Sequence, residues 1–85
     1  MILTITVVEN NYREFIHLEN ELNEWCNGTQ TSINIKHYPS GEEFFKSSKI
    51  HKSDLVFLDI QLDGINGVEI AKELRKNGYQ GYIIF

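Results

Sequence analysis

The chain has 85 residues, enough for one small domain and no more. It is 41% hydrophobic and 24% charged, a globular balance, and its net charge of −4 argues against a general nucleic-acid footprint. A single cysteine, Cys26, excludes an internal disulfide and suits a reducing cytoplasm. The segment Met1–Val8 has no positive region or cleavage site and is too short to span a bilayer, so no membrane association is expected.

In chain order, Ile2 to Val8 is rich in β-branched residues and reads as a strand ending at Glu9-Asn10. Asn10 or Asn11 can cap the helix that follows, and Asn11 to Glu14 has capping-box spacing. Phe15, Leu18, Leu22, Trp25 and Cys26 fall on one face of that helix, and Asn27-Gly28 stops it. Ser32 to Tyr38 alternates Ile33, Ile35 and His37 against polar residues and reads as a second strand, with His37 half-buried. Ser40 to Glu43 opens a short helix carrying Phe44 and Phe45. Lys46 to Ser53 is polar, and its basic residues read as a solvated loop.

Leu55 to Leu58 is a short run of large apolar residues after Ser53-Asp54, the pattern of a strand buried on both faces. It stops at Asp59. A loop containing Gly64 and Gly67 leads to a helix on which Val68, Ile70, Ala71 and Leu74 are apolar. Asn66 to Glu69 is its capping signal and Gly78 its stop. Tyr82 to Phe85 reads as a fourth strand. The order β-α-β-α-β-α-β predicts a parallel sheet with right-handed crossovers and helices on both faces. Ligands of such sheets sit outside the carboxyl ends of the strands, which is where Asp59 falls.

Asp59 and Gly67, eight residues apart, together with the wording Leu-Val-Phe-Leu-Asp-Ile-Gln, Ala-Lys-Glu-Leu-Arg and Ile-Ile-Phe, resemble the phosphoacceptor region of response-regulator receiver domains, most of all those of the LytTR type. The family usually has Met-Pro where this chain has Leu62-Asp63. The resemblance implies the flavodoxin-like α/β fold, with strand order 2-1-3-4 in this chain and residues 1–85 forming the N-terminal portion of a receiver. Two helices and a fifth strand would lie beyond Phe85. So would the Thr or Ser and the Lys that contact the phosphoryl group in receivers.

By the same resemblance, Asp59 is the residue that a histidine kinase phosphorylates, and magnesium is the cofactor. Glu9 matches an acid that contacts the metal largely through water. Asn10 stands where the family has a directly ligating acid, Asp59 is a third ligand, and Gln61 supplies a backbone carbonyl. Asn10 departs from the pattern: its amide oxygen can ligate magnesium but adds no charge. The implied function is control of an effector, transcriptional by analogy with LytTR regulators, with DNA contacted only through a further domain.

Two other readings compete. Asn10 suggests a receiver-like interaction module that is not phosphorylated. An Asp-nucleophile phosphohydrolase would place a second Asp two residues after the nucleophile, where this chain has Gln61, so no enzyme is expected. The three histidines lack metal-ligand spacing. If strand four is an edge, its backbone and large side chains invite self-association.

Overall fold

The structure is a computed structural model, and residues 2–46, 52–60 and 66–85 are described here. The strands are β1 (Ile2–Val8), β2 (Ser32–Tyr38), β3 (Leu55–Leu58) and β4 (Tyr82–Ile84). The helices are α1 (Tyr12–Cys26), α2 (Gly41–Lys46) and α3 (Gly67–Lys76). The sheet is parallel, in the order β2-β1-β3-β4. The sheet thus has the expected flavodoxin-like strand order.

Local chemistry accounts for the helix boundaries. Asn11, not Asn10, caps α1: its Oδ1 accepts from the amides of Arg13 (3.0 Å) and Glu14 (3.2 Å). Gly28 follows the helix with φ of 84°, a left-handed conformation that glycine adopts without steric cost. Asn66 caps α3 in a reciprocal box, accepting from the Glu69 amide and donating Nδ2 to the Glu69 carboxylate, each at 2.9 Å.

Period-2 alternation sorts the sheet into two faces. Val8, Val56 and Leu58 pack with Phe44, Ile70, Leu74 and Tyr79 under α2 and α3. Ile5 and Val7 pack with Phe15 under α1, flanked by the partly buried Leu18, Leu22, Ile33, Ile35, Leu55 and Phe57. Each fully buried aliphatic side chain contributes about 1.5–3 kcal/mol. Two expectations are corrected here. β3 is fully buried only toward α2 and α3; Leu55 and Phe57, on the α1 face, stay partly open. Trp25 leaves the predicted stripe and is 57% exposed. The register gives the reason: β3 first meets β1 at Ile5, so near Ile2 only two strands underlie the end of α1.

β4 pairs with β3 alone among the described strands. Its Tyr82 and Ile84, with the following Phe85, are exposed. No helix among the described residues is long and apolar enough to cross a membrane.

Candidate functional site

Parallel pairing of β1 with β3 brings their carboxyl ends side by side, the last register pair being Val8 with Leu58. One step further along, the Asp59 amide donates to the Val8 carbonyl (3.2 Å), and the Glu9 amide donates to the Tyr38 carbonyl (3.0 Å). Glu9 and Asp59 therefore leave adjacent strands at the same level, although 50 residues separate them in sequence.

Their side chains meet. Burial pushes the Glu9 carboxyl above its ordinary value, and the Asp59 charge and a hydrogen bond to Asp59 push it further in the same direction. The Asn11 amide, donating to Glu9 Oε1 at 3.1 Å, opposes this. A half-buried carboxylate pair that repels itself is relieved by a cation between its members. Glu9 and Asp59 line an open pocket of about 450 Å³ together with apolar Val7, Leu18, Phe57, Leu58 and Phe85.

The spacing from Asp59 to Gly67 has a steric cause. Gly67 is buried, and its amide donates to the Ile60 carbonyl at 3.3 Å. A Cβ on Gly67 would strike the Asp59 carbonyl oxygen and come within 3.0 Å of the Asp59 carbonyl carbon and 3.1 Å of Ile60 Cα. The start of α3 thus lies directly against the backbone of the candidate nucleophile, and only glycine allows that approach.

Asn10 is exposed at the same edge. Because Asn11 performs the capping, capping does not explain Asn10. Among the described residues, no group of three or more His, Cys, Asp or Glu converges on one point. The candidate donors from the sequence are two carboxylates, Glu9 and Asp59, and one amide, Asn10. Such a donor set fits magnesium, which commonly takes one or two carboxylates and keeps several waters. Gln61, Asp63 and Gly64 lie outside the described residues, as do Lys49 and His51 of the basic stretch.

Sequence reasoning placed His37 correctly as a half-buried strand residue but did not anticipate its ring contacts. Its Nε2 lies 2.7 Å from the Glu9 carbonyl oxygen. Its ring stacks on Phe15 with centroids 3.9 Å apart and planes 6° from parallel. The β1–β2 register, which sets His37 opposite Val7, two residues before Glu9, was the available signal.

A parallel α/β sheet in the order β2-β1-β3-β4 with paired acids at its carboxyl edge is the arrangement the receiver resemblance implies, and comparison with known proteins agrees. Residues 5–85 match the response regulator receiver domain family, and the chain belongs to it. The crystal structure of the response regulator TrrA from Thermotoga maritima, in complex with Mg²⁺-BeF, matches with a TM-score of 0.76 and 33% identity, covering 95% of this chain and 65% of that one. TrrA in complex with the histidine kinase ThkA matches with a TM-score of 0.71, at the same identity and coverage. The sensory transduction protein LytT of Bacillus subtilis is 37% identical over 57 residues, which is 67% of this chain and 24% of LytT. The chain therefore spans about a quarter of that curated relative. It is a receiver domain of the two-component response-regulator type.

Proposed function

We propose that Asp59 is the phosphoacceptor of this receiver, that a histidine kinase is its donor, and that magnesium is held by Glu9, Asn10 and Asp59 with the Gln61 carbonyl. The observation that carries the reading is the meeting of the Glu9 and Asp59 carboxylates at the carboxyl edge, with Gly67 packed against the Asp59 backbone. A carboxylate oxygen of Asp59 attacks the phosphorus of a phosphohistidine. The phosphorus–nitrogen bond breaks, its electron pair returns to the imidazole, and an aspartyl phosphate remains. When bound, the metal neutralises charge on the transferred group. Glu9 supplies negative charge beside the nucleophile, Asn11 holds the Glu9 carboxylate, and the backbone bond from Asp59 to Val8 fixes the nucleophile's height above the sheet.

The complexes of TrrA with Mg²⁺-BeF and with ThkA support the metal and the kinase by similarity. The likeness to the sensory transduction protein LytT supports a signalling role. We further propose that this role is exercised in the cytoplasm through a transcriptional effector, with DNA contacted only by a further domain. Residues 1–85 act as the portion of the receiver that carries the phosphoacceptor. The exposed β4 edge is a proposed surface for self-association of the 85-residue chain. Light scattering across a concentration series should show mass rising with concentration, less so in Tyr82→Lys.

The decisive experiment is incubation with a phosphorylated histidine kinase and magnesium, read by intact mass. Wild type should gain one phosphoryl group and Asp59→Asn none. A wild type that stays unlabelled would favour the interaction-module reading, which the third ligand position's lack of charge at Asn10 motivates.

A further inference from the structure

We infer that His37 is a positioning residue for the metal-binding edge: it ties the backbone carbonyl of Glu9 to β2 and to the first turn of α1. The inference rests on the reading of Glu9, Asn10 and Asp59 as metal ligands.

The need for a tie follows from the ladder. β1 and β2 pair in register up to Val8 and Tyr38, and the Glu9 amide still finds the Tyr38 carbonyl at 3.0 Å. The next rung of a parallel ladder would use the Glu9 carbonyl as acceptor and the amide of residue 40 as donor. The chain has already turned at Pro39, and Ser40 caps α2, its Oγ accepting from the Glu43 amide at 3.1 Å and its carbonyl from the Phe44 amide at 3.1 Å. The His37 side chain takes the place of that rung. A carbonyl oxygen only accepts, so His37 Nε2 carries a hydrogen and donates to it over 2.7 Å.

The donor is itself held. The His37 ring lies flat on Phe15, which is 7% exposed and anchored in the core beneath α1. Tyr12 closes a second side, its ring centroid 6.4 Å from that of His37. Three elements thus converge on the Glu9–Asn10 turn: β2 through His37, α1 through Phe15, and the cap through the Asn11 amide on the Glu9 carboxylate. Glu9 is gripped by its carbonyl on one side and its carboxylate on the other. Partners that hold a ligand without touching the metal set its aim, and losing one weakens metal affinity by about tenfold or more.

The test compares His37→Phe, which keeps the ring stack and loses the donor, with His37→Gln, whose side-chain amide keeps a donor. Metal-free protein is followed by NMR at the Glu9 carbonyl carbon and the Asn10 amide, and magnesium is then titrated. His37→Phe should shift both signals and bind magnesium about tenfold more weakly, while His37→Gln should restore most of the affinity. Urea unfolding separates loss of fold from loss of aim. Should His37→Phe fail to fold, His37→Asn, too short to reach the Glu9 carbonyl, replaces it. Wild-type affinity in the donor-less variant overturns the tie alone, as does a Gln variant no better than Phe. A wild type that takes up no magnesium overturns the metal reading and the tie together.

Discussion

Two aspartates bracket β3, and the sheet treats them in opposite ways. Asp54, at the amino end, is tied into the ladder. Its Oδ2 accepts from the Thr4 amide at 2.8 Å, its own amide donates to the Thr4 carbonyl at 2.8 Å, and its carbonyl accepts from the Tyr82 amide at 3.3 Å. Around it, the Thr6 and Ser53 hydroxyls bond to each other and Tyr79 Oη donates to the Ser53 carbonyl at 2.9 Å. Asp59, at the carboxyl end, instead meets another acid, Glu9, beside a 450 Å³ cavity. Polar groups at the amino edge are satisfied by the protein and stabilise it. The carboxyl groups at the carboxyl edge are arranged against one another, a repulsion that a cation between them would relieve. Glu9, raised by burial and by the neighbouring Asp59, is the acid whose setting points to function, whereas Asp54 is satisfied within the ladder.

The comparison breaks most sharply at Asp59. Asp59→Asn should abolish labelling while leaving the metal-free protein at least as stable as wild type. The sign follows from Glu9. A carboxyl raised in the folded state favours folding in its protonated form, and that contribution is lost as pH rises through the folded value. Removing the Asp59 charge takes away one of the causes, so the gain should appear above the ordinary carboxylate range and vanish in acid. Urea unfolding at acidic and neutral pH reads it; a stability loss at neutral pH would place Asp59 in the same structural role as Asp54.

Gly67→Ala should disturb both properties. Its Cβ would strike the Asp59 carbonyl, and the backbone shift should cost about 1–3 kcal/mol and slow labelling. Unchanged labelling would show that the contact does not set the position of Asp59.

At the amino edge, Tyr79→Phe should cost about 1–3 kcal/mol, because the buried Ser53 carbonyl loses its donor. Labelling at Asp59 should be unaffected. Burial raises the Tyr79 hydroxyl above its ordinary value of 10.0, the nearby Asp54 charge adding to this and Arg75 opposing it. Its contribution is therefore fully present below pH 10.0 and is lost as pH rises through the folded value. Wild-type stability should fall in that alkaline window more steeply than that of Tyr79→Phe, as followed by circular dichroism.

The smallest effect sharpens the carboxyl edge itself. Asn10→Asp should tighten magnesium binding by adding charge to the ligand set and should raise the Glu9 carboxyl further in the metal-free state. NMR titration is the suitable readout, since Trp25 lies at the far end of α1, about 20 Å away by helical rise. Equal affinities would mean that residue 10 does not touch the metal.

What the chain's order of residues determined by itself is local. Periods of two and of 3.6 residues placed the strands and helices, Asn66 with Glu69 and Gly28 set helix ends, and regular alternation dictated a parallel sheet. Alternation left the strand order open; the meeting of Glu9 with Asp59 was legible only through the family resemblance, which implies that strands one and three are neighbours, and the structure pairs them. What only the tertiary structure decided depends on register and depth. Asp54 and Asp59 look alike as residues flanking an apolar run, and pairing with β1 makes one a ladder partner and the other half of an acid pair. His37 reads as another alternating residue until the ladder's end leaves it facing the Glu9 carbonyl. Gly81 carries no turn signature, yet a Cβ there would strike Tyr79 Oη and approach the Asp54 carbonyl oxygen to 3.0 Å. Trp25 keeps the helical spacing of Phe15, Leu18 and Leu22 and is still exposed, because periodicity records which way a side chain points and not how far the sheet extends beneath it.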